Sequence, residues 1–221
     1  MQNICRHSLF LIHAVMALTL YAGPALCQTP SDDLLKQRLT LKIDHVPFIP
    51  VLATLSVEHK IPVGLELGTV SYDEVRRSIN VTNASLEQIL NLISGHWPAY
   101  RWEVVEGFVN FVPVSARDPL IEKLLYTTVS RFSHKKGIDR FELRDSIIET
   151  PEVKSFLSAN DVSVFRLGDP ARISDTVGEV DLSVSAIDVK GIVNKVIRES
   201  ERKFWVVGRR RQQTKTIFMS L

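Results

Sequence analysis

The order of apolar and polar positions after residue 38 predicts a small unit of strands and helices. Leu39, Leu41 and Ile43 alternate with polar residues, as expected for a half-buried strand. The segment "FIPVLATLSVEHK" has its apolar residues at helical spacing, and "IPVGLELG" returns to strand character. A strand "SINVTNA" follows, then a helix that Ser85 is placed to cap, then the strands "YRWEVVEG" and "FVNFVPV" joined by a tight turn. This pattern predicts the order β-α-β-β-α-β-β.

A stretch near the carboxy terminus repeats the latter half of this pattern at a constant offset of 103 positions. Repeated units keep their core positions before their identities, so apolar-on-apolar matches at one offset favour a duplication over a chance alignment. The matched pairs are Val81 and Val184, Ser85 and Asp188, Leu86 and Val189, Ile89 and Ile192, Leu90 and Val193, Asn91 and Asn194, Ile93 and Val196, Trp102 and Trp205, and Val104 and Val207. Upstream, "LELG" resembles "FRLG", with "IDRFELRD" as the predicted first strand and "SIIETPEVKSFLSAN" as the predicted helix.

The predicted fold class is therefore α+β, with two small βαββαββ units in tandem, each carrying two helices packed on short mixed sheets. The first unit spans residues 39–114 and the second residues 138–221, with a connector at 115–137. Asp118 and Pro119 form a good helix start in the connector. However, "LLYTTVSRF" is rich in β-branched and aromatic residues, so the sequence leaves open whether this part is helical or extended.

Residues 1–27 have the three parts of a secretory signal peptide, and residues 28–38 are predicted to be a flexible polar lead-in. A basic start at Arg6 precedes an apolar run, and "AGPALCQ" then places small residues where signal peptidase cleaves. The run is short for an uncleaved membrane anchor, and lipidation of Cys27 is a third interpretation. We expect a cleaved leader and a periplasmic protein.

Charge and cysteine content narrow the possible functions. Cleavage would remove both cysteines, Cys5 and Cys27, so we expect neither a disulfide nor thiol chemistry in the mature chain. Arg6 is the only charged residue of the leader, so the formal net charge would change from +2 to +1. A balance this close to neutral gives no basis for nucleic-acid binding.

No catalytic or cofactor-binding pattern is found in the sequence. The four histidines after the leader, His45, His59, His96 and His134, lack the spacing of metal ligands. Ser133-to-Lys136 and Ser200-to-Lys203 fit "SxxK", but the accompanying motifs of serine penicillin-binding enzymes are missing. The chain also lacks "GxSxG", "GxGxxG" and a phosphate-binding loop. We therefore predict a protein that is not an enzyme, with no metal and no cofactor.

The most distinctive polar segment is "GRRRQQTK" at residues 208–215, between two strand-like stretches. A basic hairpin tip of this kind can contact an anionic surface such as lipid headgroups or cell-wall polymer. The candidate contact residues are Arg209, Arg210, Arg211 and Lys215. The alternative interpretation is a solvated turn whose charges discourage aggregation at the sheet edge.

Residues 39–114 resemble the secretin and TonB short N-terminal domain, abbreviated STN. The resemblance rests on three segments: "LKIDHVPFIPVLATLSVEHKIPVGLE", "INVTNASLEQILNLISG" and "YRWEVVEGFVNFVPV". It implies a periplasmic fold suited to protein contacts. STN domains usually precede a secretin pore or an outer-membrane receptor barrel. No segment of barrel length follows in this sequence, so the resemblance is not expected to extend to pore formation or siderophore uptake.

The leading hypothesis is a periplasmic, non-enzymatic protein-interaction module, accessory to an envelope secretion or TonB-type signalling complex. Its expected partner is an envelope protein, because STN-like sheets tend to offer open edges for strand addition. The alternative is a soluble binder of a small or polymeric anionic envelope ligand, which would use the cleft between the units and the basic hairpin. Contact with a membrane surface remains open, nucleic acid is not expected, and an enzyme with a dispersed site ranks third.

Overall fold

A computed structural model describes residues 30–68, 75–115, 117–134, 140–165, 182–199, 203–209 and 216–220, and the leader predicted at residues 1–27 lies outside them. The α+β class is confirmed over the described residues. The helices there are α1 (Pro30–Lys36), α2 (Phe48–His59), α3 (Leu86–His96), α4 (Pro119–Leu125), α5 (Arg140–Ile148), α6 (Pro151–Ala159) and α7 (Val189–Glu199). The strands are β1 (Arg38–Val46), β2 (Val63–Glu66), β3 (Arg77–Ser85), β4 (Tyr100–Val105), β5 (Phe108–Pro113), β6 (Thr128–His134), β7 (Ser163–Phe165), β8 (Leu182–Asp188), β9 (Phe204–Arg209) and β10 (Thr216–Ser220).

The two halves of the chain have the same strand connectivity. In the first half β1 pairs with β3 and β4 with β5, both antiparallel, while β2 pairs with β5 in parallel. In the second half β6 pairs with β8 and β9 with β10, both antiparallel, while β7 pairs with β10 in parallel. Each unit therefore consists of a two-stranded ladder beside a three-stranded mixed sheet, as the predicted duplication requires.

One side-chain hydrogen bond recurs at the offset of 103 positions that the sequence indicates. The indole N–H of Trp102 donates to Oδ1 of Asn91 at 3.1 Å, and the indole N–H of Trp205 donates to Oδ1 of Asn194 at 2.8 Å. Each bond ties the first strand of a hairpin to the helix that precedes it. A buried indole N–H needs an acceptor, and many arrangements could provide one, so the same donor and acceptor at both sites support the repeat.

The caps of the two corresponding helices also match. Ser85 accepts a hydrogen bond from the backbone N–H of Gln88 at 3.2 Å, and the Asp188 carboxylate accepts one from the backbone N–H of Gly191 at 2.6 Å. Both bonds satisfy a backbone donor three residues into the helix, which is what a cap residue does. The sequence prediction of these two starts is confirmed.

The amino-terminal lead-in and the start of the second unit differ from the prediction. Each unit has its own hydrophobic core, called the first and the second core after its unit. Helix α1 lies within the lead-in that was expected to be flexible, because Leu34 and Leu35 pack against the first core. "IDRFELRD" falls largely in helix α5, and the strand that pairs with β8 is β6, inside the predicted connector. Pro151 has no N–H and begins α6, so two helices replace the single predicted one.

Strand β2 also pairs in parallel with β9, which joins the two three-stranded sheets into one sheet of order β4-β5-β2-β9-β10-β7. The helices of the two units lie on opposite faces of this sheet. Alternation along β9 shows this directly, since Val206 packs in the first core while Trp205 and Val207 pack in the second. Each unit therefore covers one face and shares its strands with the other.

The junction between the units depends on a close approach of Trp205 to Gly64. These two residues are register partners in the β2–β9 ladder. A Cβ atom added at Gly64 would lie 2.4 Å from the Trp205 ring, so no larger residue fits without displacing the indole. The glycine thus permits the tryptophan to lie across β2 and to close the second core against the first unit.

We expect Gly64→Ala to lower the free energy of unfolding by about 1–3 kcal/mol, because the methyl group overpacks the junction. Gly95→Ala is the matched control, since an added Cβ in that helix meets no atom within 4 Å. The control should raise the free energy of unfolding by about 0.5–1 kcal/mol, because alanine has a higher helix propensity than glycine. Urea unfolding followed by tryptophan fluorescence measures both. Equal stability of the Gly64→Ala and wild-type proteins would contradict the proposed packing.

Candidate functional site

Four charged side chains meet where the two units join, and we call them the inter-unit charge cluster: Glu66, Glu103, Arg117 and Lys190. The Lys190 ammonium donates to Glu66 at 2.8 Å and to Glu103 at 3.2 Å. Nε of Arg117 lies 3.8 Å from the second Glu66 oxygen. The Lys190 and Glu66 side chains are only 7% and 3% exposed, so this ion pair is buried.

The strand and helix geometry explains how these charges come together. Val63 and Leu65 point into the first core, so alternation turns Glu66 toward the second unit. Lys190 is the second residue of α7, whose start is fixed by the Asp188 cap. A cation in the first helical turn opposes the helix dipole, so two carboxylates next to Lys190 offset that repulsion.

The cluster keeps its cations charged. Burial by itself lowers the pKa of Lys190, but the ion pair and hydrogen bond with Glu66, together with the charges of Tyr126 and Glu103, outweigh burial, so the pKa is raised above its ordinary value. Burial also lowers the pKa of Arg117, but the interactions with Glu66, Tyr126 and Glu122 together outweigh burial. The pKa of Arg117 is therefore raised as well. A buried ion pair with both members charged is strongly sensitive to the loss of either one.

Of the four contact residues predicted in the basic hairpin, the structure describes Arg209, which forms a second ion pair. Arg209, at the end of β9, donates to the buried Asp118 carboxylate at 2.7 Å. Asp118 in turn accepts from the backbone N–H of Leu120 at 2.9 Å and so caps helix α4. Arg209 therefore fastens the hairpin to the connector. The other three predicted residues, Arg210, Arg211 and Lys215, lie outside the described residues.

A cleft of about 370 Å³ lies beside the charge cluster, between helix α7 and the end of β4. Its charged lining residues are Glu103, Glu106, Asp188, Lys190, Lys195 and Arg198. Acidic and basic groups are equal in number there, and Arg198 lies 4.0 Å from Glu106. Arg209 is not among the lining residues, so the structure does not bring the predicted hairpin contact into this cleft.

Strand β4 is a terminal strand of the six-stranded sheet, and its outer edge pairs with no other strand of the described chain. The Val114 N–H donates to the Ala99 carbonyl at 2.9 Å, which fixes the hydrogen-bonding alternation of the hairpin. Because antiparallel pairs alternate, the backbone groups of Trp102 and Val104 point away from β5, toward this edge. The edge therefore offers donors and acceptors to an added strand.

The two repeated tryptophans differ in exposure. Trp205 lies in β9, which is covered on both edges, and is 1% exposed. Trp102 occupies the equivalent position in β4 and remains only partly buried. The difference shows how much additional burial a neighbouring strand provides at this position.

Sequence reasoning missed the charge cluster, although one signal was present. Glu66 stands in "IPVGLELG", where every other residue is apolar or glycine, and a carboxylate in a buried run requires a charged partner. The sequence did not identify that partner, because Lys190 lies 124 positions away.

The described residues contain no group of three or more potential metal ligands, and none of the helices found there is long and apolar enough to cross a membrane. No protein-family model, curated protein or solved structure matches the chain. The resemblance to STN domains therefore remains a prediction from the sequence.

We expect Lys190→Met to lower the free energy of unfolding by about 3–5 kcal/mol, because it leaves the Glu66 carboxylate buried with only the more distant Arg117. Lys154→Met is the control, since Lys154 pairs with Glu149 at the exposed surface and should change stability by less than about 0.5 kcal/mol. Chemical denaturation measures both variants. Similar losses in the two proteins would show that the buried pair does not hold the units together.

The raised pKa of Lys190 also predicts how stability depends on pH. The unfolded lysine loses its proton near its ordinary pKa of 10.5, below the pKa it has in the folded protein. The stabilisation is therefore complete below pH 10.5 and is lost as the pH rises through the folded-state pKa, by at most about 1.4 kcal/mol per pH unit. The stability difference between wild type and Lys190→Met should shrink over that range. A constant difference would contradict the coupling.

Proposed function

We propose that the chain is a non-enzymatic protein-interaction module of the bacterial envelope, which binds its partner by adding a strand to β4. The observation that carries this proposal is the outer edge of β4 at the end of the six-stranded sheet. Backbone groups along such an edge give affinity to an added strand, and the side chains beside them give specificity.

The junction inside the chain supports this mode of binding. There β2 lies against β9 as an added strand would, with the Val63 N–H donating to the Lys203 carbonyl at 2.7 Å and the Leu67 N–H donating to the Val207 carbonyl at 2.8 Å. Val104 is the repeat equivalent of Val207. The edge of β4 thus has the same backbone geometry as an edge that already accepts a strand.

The predicted leader and the STN resemblance indicate in which compartment the chain works and which type of complex it joins. Both favour the periplasm, where a partner from an envelope secretion or TonB-type signalling complex would be met. The partner expected is a protein with a segment that can extend into a strand.

The alternative of an anionic-ligand binder is less well supported. Equal numbers of acidic and basic residues line the cleft, so its charge does not select an anion. Arg209 is already paired with Asp118, and a cation in an ion pair attracts a further anion weakly. Contact of the remaining hairpin residues with a membrane surface stays a prediction.

We expect Val104→Pro to abolish partner capture while leaving the fold intact. The Val104 N–H points away from β5, so its loss removes no bond of the hairpin, but it does remove a donor from the open edge. Val104→Thr is the control, because it keeps the N–H and the β-branched shape. The measurement is crosslinking in intact envelopes, followed by purification and identification of the attached proteins.

Circular dichroism and thermal unfolding establish that both variants fold. Capture of the same envelope protein by wild type and Val104→Thr, and its loss in Val104→Pro, would support strand addition. Equal capture by all three proteins would reject β4 as the binding edge, and recovery of the wild-type chain with no crosslinked protein would reject the interaction role.

A further inference from the structure

We infer that a second copy of this chain binds β4, through antiparallel pairing of the two β4 strands about a two-fold axis. The inference rests on the proposed function, because it uses the same edge of β4, and it names a second copy of this chain, in place of a different envelope protein, as the occupant of that edge. Its basis is that β4 is complementary to itself in backbone geometry, in charge and in its aromatic residue.

The backbone alternation sets the register. Residues whose N–H and C=O groups point outward must face each other in the closely bonded pairs of an antiparallel ladder. Trp102 is the central outward-pointing residue of β4, so the symmetric register places Trp102 opposite its own copy. The two copies of Trp102 then exchange a pair of hydrogen bonds, and Tyr100 faces Val104 on either side.

The same register places opposite charges across the new ladder. With Trp102 at the centre, Arg101 of one copy lies opposite Glu103 of the other, and the arrangement occurs twice by symmetry. Within one chain Arg101 and Glu103 already share a face, with 3.3 Å between Nη1 and Oε2. Opposite charges at directly facing positions stabilise an antiparallel pair, whereas like charges there destabilise it.

The tryptophan gives the pairing its apolar contribution. Trp102 lies on the other face from the charges, packed against the first core and bonded to Asn91. Its equivalent, Trp205, reaches full burial where β2 covers the edge of β9. A second β4 would cover the outer side of Trp102 without a facing glycine, so the two indoles would pack against each other across the axis instead of lying over the partner strand as Trp205 lies over Gly64.

Head-to-tail addition of β7 from another copy is disfavoured by the same residues. At the internal junction Phe204 and Val206 of β9 pack against or within the first core. The repeat equivalents on β4 are Arg101 and Glu103. Covering them as the first unit covers Phe204 and Val206 would bury two charges, which costs several kcal/mol each by general estimates. Symmetric pairing leaves the Arg101 side chain exposed and Glu103 in the contacts that it already makes with Arg101 and Lys190.

The test is a charge-reversal pair measured by sedimentation velocity on purified protein. In a dimer of Arg101→Glu, both facing 101–103 pairs are acidic, and in a dimer of Glu103→Arg both are basic. Each variant alone should therefore bind itself at least about tenfold more weakly than wild type. Mixed together, the two variants face each other with opposite charges and should form a heterodimer with near wild-type affinity. Arg131→Glu, an exposed charge reversal on β6, is the matched control and should dimerise as wild type does.

Because Glu103 also contacts Lys190, circular dichroism establishes that each variant is folded, and Val104→Pro provides an independent variant that should be monomeric. A wild-type protein that stays monomeric at every accessible concentration overturns self-pairing. A dimer that survives both Arg101→Glu and Val104→Pro does the same. If the wild type is monomeric yet captures an envelope protein that Val104→Pro does not, the strand-addition function stands and only the second copy is rejected.

Discussion

At the centre of the six-stranded sheet, β2 lies between β5 of its own unit and β9 of the other, and all four of its residues are buried. Val63 and Leu65 complete the first core, while Gly64 and Glu66 face the second unit. A buried carboxylate is costly unless it is paired, so Glu66 requires a cation at that point. The position of this one strand therefore constrains helix α7, which supplies Lys190, and the connector, which supplies Arg117.

The two units share their strand connectivity and the tryptophan-to-asparagine hydrogen bond but differ in what their hairpins face. In β9, Phe204 and Val206 pack on the first unit, and β2 fits beside them. In β4 the equivalent positions hold Arg101 and Glu103, which prevent the repeat from propagating as a chain of identical junctions. A duplicated sheet would otherwise present complementary ends and assemble without limit. The charges on β4 thus oppose head-to-tail assembly, and in the proposed strand addition their order along β4 would select the partner.

Local patterns in the sequence were enough to predict the fold class, the cap residues Ser85 and Asp188, and the matched positions at the 103-residue offset, because each depends on neighbours in the chain. The start of the second unit was mispredicted, since the predicted strand "IDRFELRD" falls largely in helix α5 and β6 lies in a segment that suited helix or strand equally well. The junction was not predictable either. Two units with the same strand pattern offer several possible pairings between them, and the choice depends on the contact of Gly64 with Trp205 and on a long-range ion pair.

The paired tryptophans separate local from long-range effects within one molecule. Trp102 and Trp205 make the same hydrogen bond to an asparagine of the preceding helix, so the local environment that the sequence encodes is equal at both sites. Their burial differs because β2 covers one and no described strand covers the other. A neighbouring strand at β4 would bury the part of the Trp102 indole that is still exposed and would form a row of backbone hydrogen bonds. The order Arg101-Trp102-Glu103 would decide which strand fits. In the proposed complex, affinity would come from groups that most strands can satisfy, and specificity would come from two charges that only a complementary sequence can match.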